Sequence, residues 1–155
     1  MSTTFATSTS TINTSTINTN TNTTKAPART TRARALWVAG LVYGAAAAVA
    51  TTVIAAVARA ADVPLAIDGE QIPLLGFAQL TMMGAVIGAV MAVSFNKWAR
   101  RPRHAFVVST AVLTVVSLVP DVIADATTGS KLVLMLTHVV AAGIVVPALA
   151  KRLPA

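Results

Sequence analysis

Beyond residue 34 the chain stops mixing polar with apolar positions and runs in long apolar stretches divided by short polar ones. A helix needs roughly 20 apolar residues, at 1.5 Å rise each, to cross a bilayer. Four stretches meet that requirement, and helices are predicted at about 35–58, 74–95, 105–124 and 132–150. The first holds no ionisable side chain besides Tyr43. The second follows Pro73, a residue tolerated where a helix begins. None alternates apolar with polar at period two, which disfavours a barrel.

The third stretch carries the most information. Its clean apolar run, 105–119, covers only about 22 Å of a hydrocarbon core about 30 Å thick. The helix is therefore expected to continue through Pro120 and Asp121 to about Ala124. That length requirement draws Asp121 below the interface and leaves Asp125 at it.

Residues 2–24 differ in kind. They are almost pure Ser, Thr and Asn, with a near-repeat over 10–19, and such a segment buries too little apolar area to offset its ordering entropy. The expected organisation is a disordered tail with a basic lead-in over 1–33 and a four-helix transmembrane domain over 34–152. Asn13 and Asn22 match the glycosylation acceptor pattern, read here as chance matches in an Asn/Thr-rich tract that faces the cytoplasm.

Composition supports the same class. Hydrophobic residues make up 55% of the chain and charged residues 11%, against about 25% charged in a soluble domain. The net charge of +7 does not form one basic surface and so does not point to nucleic acid. It divides by side. Lys25, Arg29, Arg32, Arg34, Lys97, Arg100, Arg101, Arg103, Lys151 and Arg152 flank one face of the predicted spans; only Arg59 and Lys131 flank the other, together with all five acids. The positive-inside rule then puts both termini in the cytoplasm. Trp37, Phe95, Trp98 and Phe106 fall near that cytoplasmic boundary, as half of an aromatic belt would. The first helix also has a signal-peptide reading, with Ala56-Val57-Ala58 as a cleavage site, but its apolar length exceeds the 7–15 residues of a signal core.

Chemistry is sparse. The chain has no cysteine, no metal-ligand spacing, no Gly-rich phosphate loop and no Ser nucleophile elbow, so no enzyme, cofactor or metal is expected. Gly40-x-x-x-Gly44 and Gly84-x-x-x-Gly88 are small-residue motifs that let helix backbones approach closely, either between the first two helices or across a dimer face. Thr110, Thr114, Ser117, Asp121 and Asp125 are spaced four, three, four and four apart and share one face of the third helix. His138 lies seven residues, about 10 Å, below Lys131, and Gln79 lies five below Leu74. Asp121 and His138 are thus candidates for a paired site, with Gln79, Ser117 and Thr114 lining a pocket open to the outside. The plainer reading has Asp121 at a helix end frayed by Pro120, His138 as an ordinary interhelical donor, and hydroxyls bonded back to their own helices.

The basic lead into an Ala/Val-rich helix, the basic loop Lys97–His104, and the closing pattern Thr128-Gly-Ser-Lys131 … Leu136-Thr-His138 … Pro147-Ala-Leu-Ala-Lys-Arg152 form a recognisable set. From about Arg34 to Arg152 the chain resembles an uncharacterised family of small actinobacterial membrane proteins, a domain of unknown function. The resemblance implies a bacterial inner membrane and four helices, and it transfers no reaction and no catalytic residue. The expected fold is all-α, a membrane-embedded antiparallel four-helix bundle. The expected role is that of a non-enzymatic accessory or scaffold protein, surrounded by lipid, with a membrane-protein partner or a second copy on its small-residue faces. The alternative is a small proton-coupled transporter, or a protein binding a polar ligand, that uses Asp121 and His138.

Overall fold

The computed structural model describes residues 29–155. Among them are four helices, α1 (Arg29–Ala60), α2 (Leu74–Trp98), α3 (Pro102–Ile123) and α4 (Thr128–Ala150), each long and apolar enough to cross a membrane. A small hairpin, β1 (Ala66–Ile67) and β2 (Glu70–Gln71), sits between α1 and α2. Successive helices run antiparallel, so one end of the bundle carries the hairpin and the α3–α4 turn. The other end carries the start of α1, the α2–α3 turn and the C-terminus. Long apolar side chains such as Val49, Val57, Leu75, Val115 and Leu132 stay exposed on the outer surface, where lipid is as good a solvent for them as the protein interior.

Helix α1 packs most extensively on α2 and next on α4, whereas α3 leans mainly on α4 and touches α2 less. The α1–α2 seam follows from glycine. A β-carbon at Gly40 would stand 2.6 Å from Ala89 Cβ, and one at Gly44 would stand 2.6 Å from Ala85 Cβ. Only hydrogen atoms at those two positions let the backbones approach this closely. The partner surface on α2 is therefore Ala85 and Ala89, not Gly84 and Gly88. Gly84 faces open space, and Gly88 meets Leu149 and Val145 of α4. Two apolar clusters fill the bundle, with Leu36, Phe106 and Leu149 at the terminal end and Ala55, Leu65, Phe77 and Leu134 at the hairpin end. Phe106, expected in the aromatic belt, is instead fully buried, while Trp98 is exposed.

The helices outrun the apolar stretches that announce them. Helix α1 begins at Arg29, inside the segment expected to be a disordered tail up to residue 33, because arginine and alanine sustain a helix that hydropathy does not register. The rest of that tail lies outside the described residues. Helix α4 begins at Thr128, where the Thr127 side chain accepts a hydrogen bond from the Ser130 N–H at 3.2 Å. Helix α3 passes through Pro120 to Ile123, as crossing the bilayer requires; Pro120 has no N–H for the Val116 carbonyl, yet the turn closes with Ala124 N–H on Pro120 O at 2.9 Å.

The hairpin was not expected. Its turn, Asp68 (φ 52°) and Gly69 (φ 83°), puts two successive residues in the left-handed region, the requirement of the tight turns that favour Asp-Gly. It is fastened across the bundle end: Asp68 N–H donates to Asp125 O at 3.0 Å, the buried Ser130 hydroxyl donates to Pro64 O, and Arg59 donates to Ile72 O at 2.6 Å.

A carboxylate–imidazole pair at the end of an apolar cleft

Because α3 leans away from α2, a cavity of about 620 Å³ opens between them, with α4 as its back wall. Its wall on α4 is buried, at Leu134, Thr137 and Val145, while Leu80 and Ile87 on α2 and Leu113 on α3 remain exposed. The cavity is thus a cleft whose mouth lies between α2 and α3 on the side of the bundle. Ile67 and Ile72 from the hairpin segment line its end. The outward opening expected from sequence is therefore replaced by a lateral one.

Asp121 and His138 meet at the hairpin end of this cleft. Pro120 does not break α3 there, so the stripe continues and turns Asp121 inward, 7% exposed. His138 projects from α4 with Nδ1 3.0 Å from Asp121 Oδ2. The same nitrogen lies 3.0 Å from the Leu134 carbonyl one turn earlier. A protonated Nδ1 faces these two oxygens, and its alignment directs the proton to Leu134 O. Asp121 Oδ2 is left buried without an aligned hydrogen bond among the described residues. The cations at this end do not supply one. Lys131 Nζ donates to Val122 O at 2.8 Å, and Arg59 is spent on Ile72 O.

Thr114 and Ser117 line the same cleft, two turns and one turn along α3 from Asp121 respectively. Their hydroxyls bond back to their own helix: Thr114 to Thr110 O at 2.8 Å and Ser117 to Thr114 O at 2.7 Å. Gln79 is not brought to the site; it is exposed and absent from the cleft wall. Asp125 is exposed too and contributes only its backbone carbonyl, to the hairpin. Of the four motif glycines, Gly84 and Gly88 line the cleft while Gly40 and Gly44 are used in the α1–α2 seam.

Sequence reasoning missed Thr81 and Thr137. Thr81 lines the cleft and shares a 2.9 Å hydrogen bond with the fully buried Thr51, which ties α2 to α1. Thr137 lies beside His138 and donates to Leu134 O at 2.8 Å. The signal for Thr137 was its place next to His138, and for Thr81 its position one turn before Ala85. Among the described residues no group of His, Asp and Glu has the clustering of a metal site.

No curated protein and no solved structure matches the chain. The model of the Family of unknown function (DUF6069) matches residues 31–155, the whole bundle with its hairpin and cleft, and the chain belongs to that family.

Proposed function

We propose that this is a non-enzymatic, ligand-binding protein of a bacterial inner membrane, actinobacterial in type as the resemblance implies, with both termini in the cytoplasm and the hairpin outside. The observation that carries the reading is the buried Asp121 carboxylate, 3.0 Å from His138, at one end of a cleft of about 620 Å³. That volume falls within the roughly 300–1,000 Å³ of small-molecule sites, and an apolar wall with a few convergent polar groups is their usual chemistry. An ionisable pair inside a membrane is costly to keep and is most simply explained by use. The orientation rests on the sequence count of ten basic residues in the segments flanking one side of the spans against two flanking the other.

The scaffold role has less support, because Gly40 and Gly44 are already occupied by Ala89 and Ala85 within the chain. Purification in a mild detergent followed by native mass spectrometry tests the binding reading. The expected result is a small molecule retained by the wild-type protein and lost from Asp121→Asn and from Gly84→Trp, which fills the cleft, with melting curves of all three showing a folded bundle. Identical bound-lipid profiles for the three proteins would overturn it.

A further inference from the structure

Every hydroxyl proton on the cleft wall is already committed. Thr110, Thr114, Ser117 and Thr137 donate to carbonyls of their own helices. Thr51 donates to Ala48 O, so in the Thr51–Thr81 pair the proton comes from Thr81. His138 Nδ1 lies 3.0 Å from both Leu134 O and Asp121 Oδ2, so it has no proton free for a ligand. What remains at the hairpin end is a set of acceptors, the Asp121 carboxylate and the Ser117 hydroxyl oxygen. Such a set is complementary to a donor, and its carboxylate is complementary to a cation. The bundle's own cations at that end are spent on backbone carbonyls.

The shape defines the remainder of the ligand. Along α2 the cleft wall runs from Phe77 to Met91, and along α3 from Phe106 to Asp121, which is about 21–22 Å at 1.5 Å per residue. The cavity volume of about 620 Å³ is spread along that whole length. The cleft is long enough for one hydrocarbon chain of a bilayer leaflet, about 15 Å. Its mouth between Leu80, Ile87 and Leu113 faces the side of the bundle, where lipid lies.

Resting on the ligand-binding reading above, we infer that the cleft takes a single-chain amphiphile with a protonated amine head, drawn sideways from the bilayer. The ammonium bonds to the Asp121 carboxylate at the hairpin end, and the chain lies along α2 and α3 toward Met91 and Phe106.

The test is equilibrium binding of radiolabelled hexadecylamine to the full-length protein in phosphatidylcholine nanodiscs, with hexadecanol and hexadecanoic acid as competitors. Zwitterionic lipid removes bulk charge attraction from the comparison. The amine is expected to bind saturably, one per chain, and about tenfold or more tighter than the alcohol, the ratio a charge-assisted hydrogen bond supplies. Asp121→Asn should remove the preference for amine over alcohol, and Gly84→Trp should weaken both. Equal affinity for amine and acid, or an amine preference that survives Asp121→Asn, overturns the inference. If the wild-type protein retains a different, Asp121-dependent molecule through purification, the amine class fails while the binding reading stands. If it retains none and binds no amine, both fail.

Discussion

A methyl group at Gly44 is the sharpest test of how the bundle is assembled. Its carbon would stand 2.6 Å from Ala85 Cβ and 3.2 Å from Met82 Sδ, against about 3.5–4.0 Å for carbons in ordinary contact. The methionine can swing aside, but Ala85 Cβ is fixed to the α2 backbone, so α1 and α2 must separate by about 1 Å. Overpacking of this kind costs about 1–3 kcal/mol. Replacing glycine by alanine inside a helix returns up to about 1 kcal/mol, which blurs the raw comparison. Gly84→Ala supplies the reference, since it gains the same helix propensity and its new methyl meets nothing within 4 Å. The expected difference between Gly44→Ala and Gly84→Ala is therefore about 1–3 kcal/mol, with Gly44→Ala less stable. Reversible unfolding in mixed micelles of dodecyl maltoside and sodium dodecyl sulfate, followed by circular dichroism, measures it. Adding Ala85→Gly to Gly44→Ala relieves the clash but costs up to about 1 kcal/mol of helix propensity, so the relief is read as the coupling in a double-mutant cycle. Equal stability of Gly44→Ala and Gly84→Ala would refute the close α1–α2 seam.

Three further predictions concern the hairpin end. Gly69→Ala forces a β-carbon into φ 83° and should destabilise the hairpin by about 1–2 kcal/mol, read as faster amide exchange at Ala66–Gln71 with the helices unchanged. Ser130→Ala removes the hydroxyl that bonds Pro64 O and Thr127; it should lower bundle stability by about 1–3 kcal/mol and loosen the same hairpin, while Thr127→Ser should do little. Asp121→Asn and His138→Ala should couple by no more than about 1 kcal/mol in a double-mutant cycle, because interhelical polar pairs in membranes average about 0.6 kcal/mol and the Nδ1 proton is aimed at Leu134 O. A larger coupling would mean that the proton bridges the pair directly.

How much of this was legible depends on what a sequence encodes. Span length is a one-dimensional quantity, so four helices and the passage of α3 through Pro120 could be read directly. Depth is nearly so: counting from Lys131 and along the polar stripe put Asp121 and His138 at one level, and they meet there. Rotation about a helix axis is not encoded by depth, and Gln79 illustrates the loss. At 100° per residue Gln79 lies about 120° to one side of Ala85, whereas Phe77, Gly84 and Met91 lie about 100° to the other. The contact of Gly40 and Gly44 with Ala89 and Ala85 fixes that rotation, and it sends Gln79 away from the cleft. The hairpin had a local signal in Asp68-Gly69, but two-residue strands leave no alternation to reinforce it. The start of α1 was missed for the opposite reason, since apolar content marks immersion in lipid and not helix length.

The absence of cysteine from the chain makes the central claim directly testable in the membrane itself. A single cysteine at Gly84 lies on the cleft wall, and one at Leu136 lies on the exposed outer face of α4. Each is labelled with a membrane-permeant maleimide in native membranes and again after delipidation into detergent. An occupied cleft predicts that Gly84→Cys is protected in native membranes, becomes reactive on delipidation, and is reactive throughout when Asp121→Asn is added, while Leu136→Cys labels alike in every case. A Gly84→Cys that labels as fast as Leu136→Cys in native membranes, with or without Asp121→Asn, would contradict it.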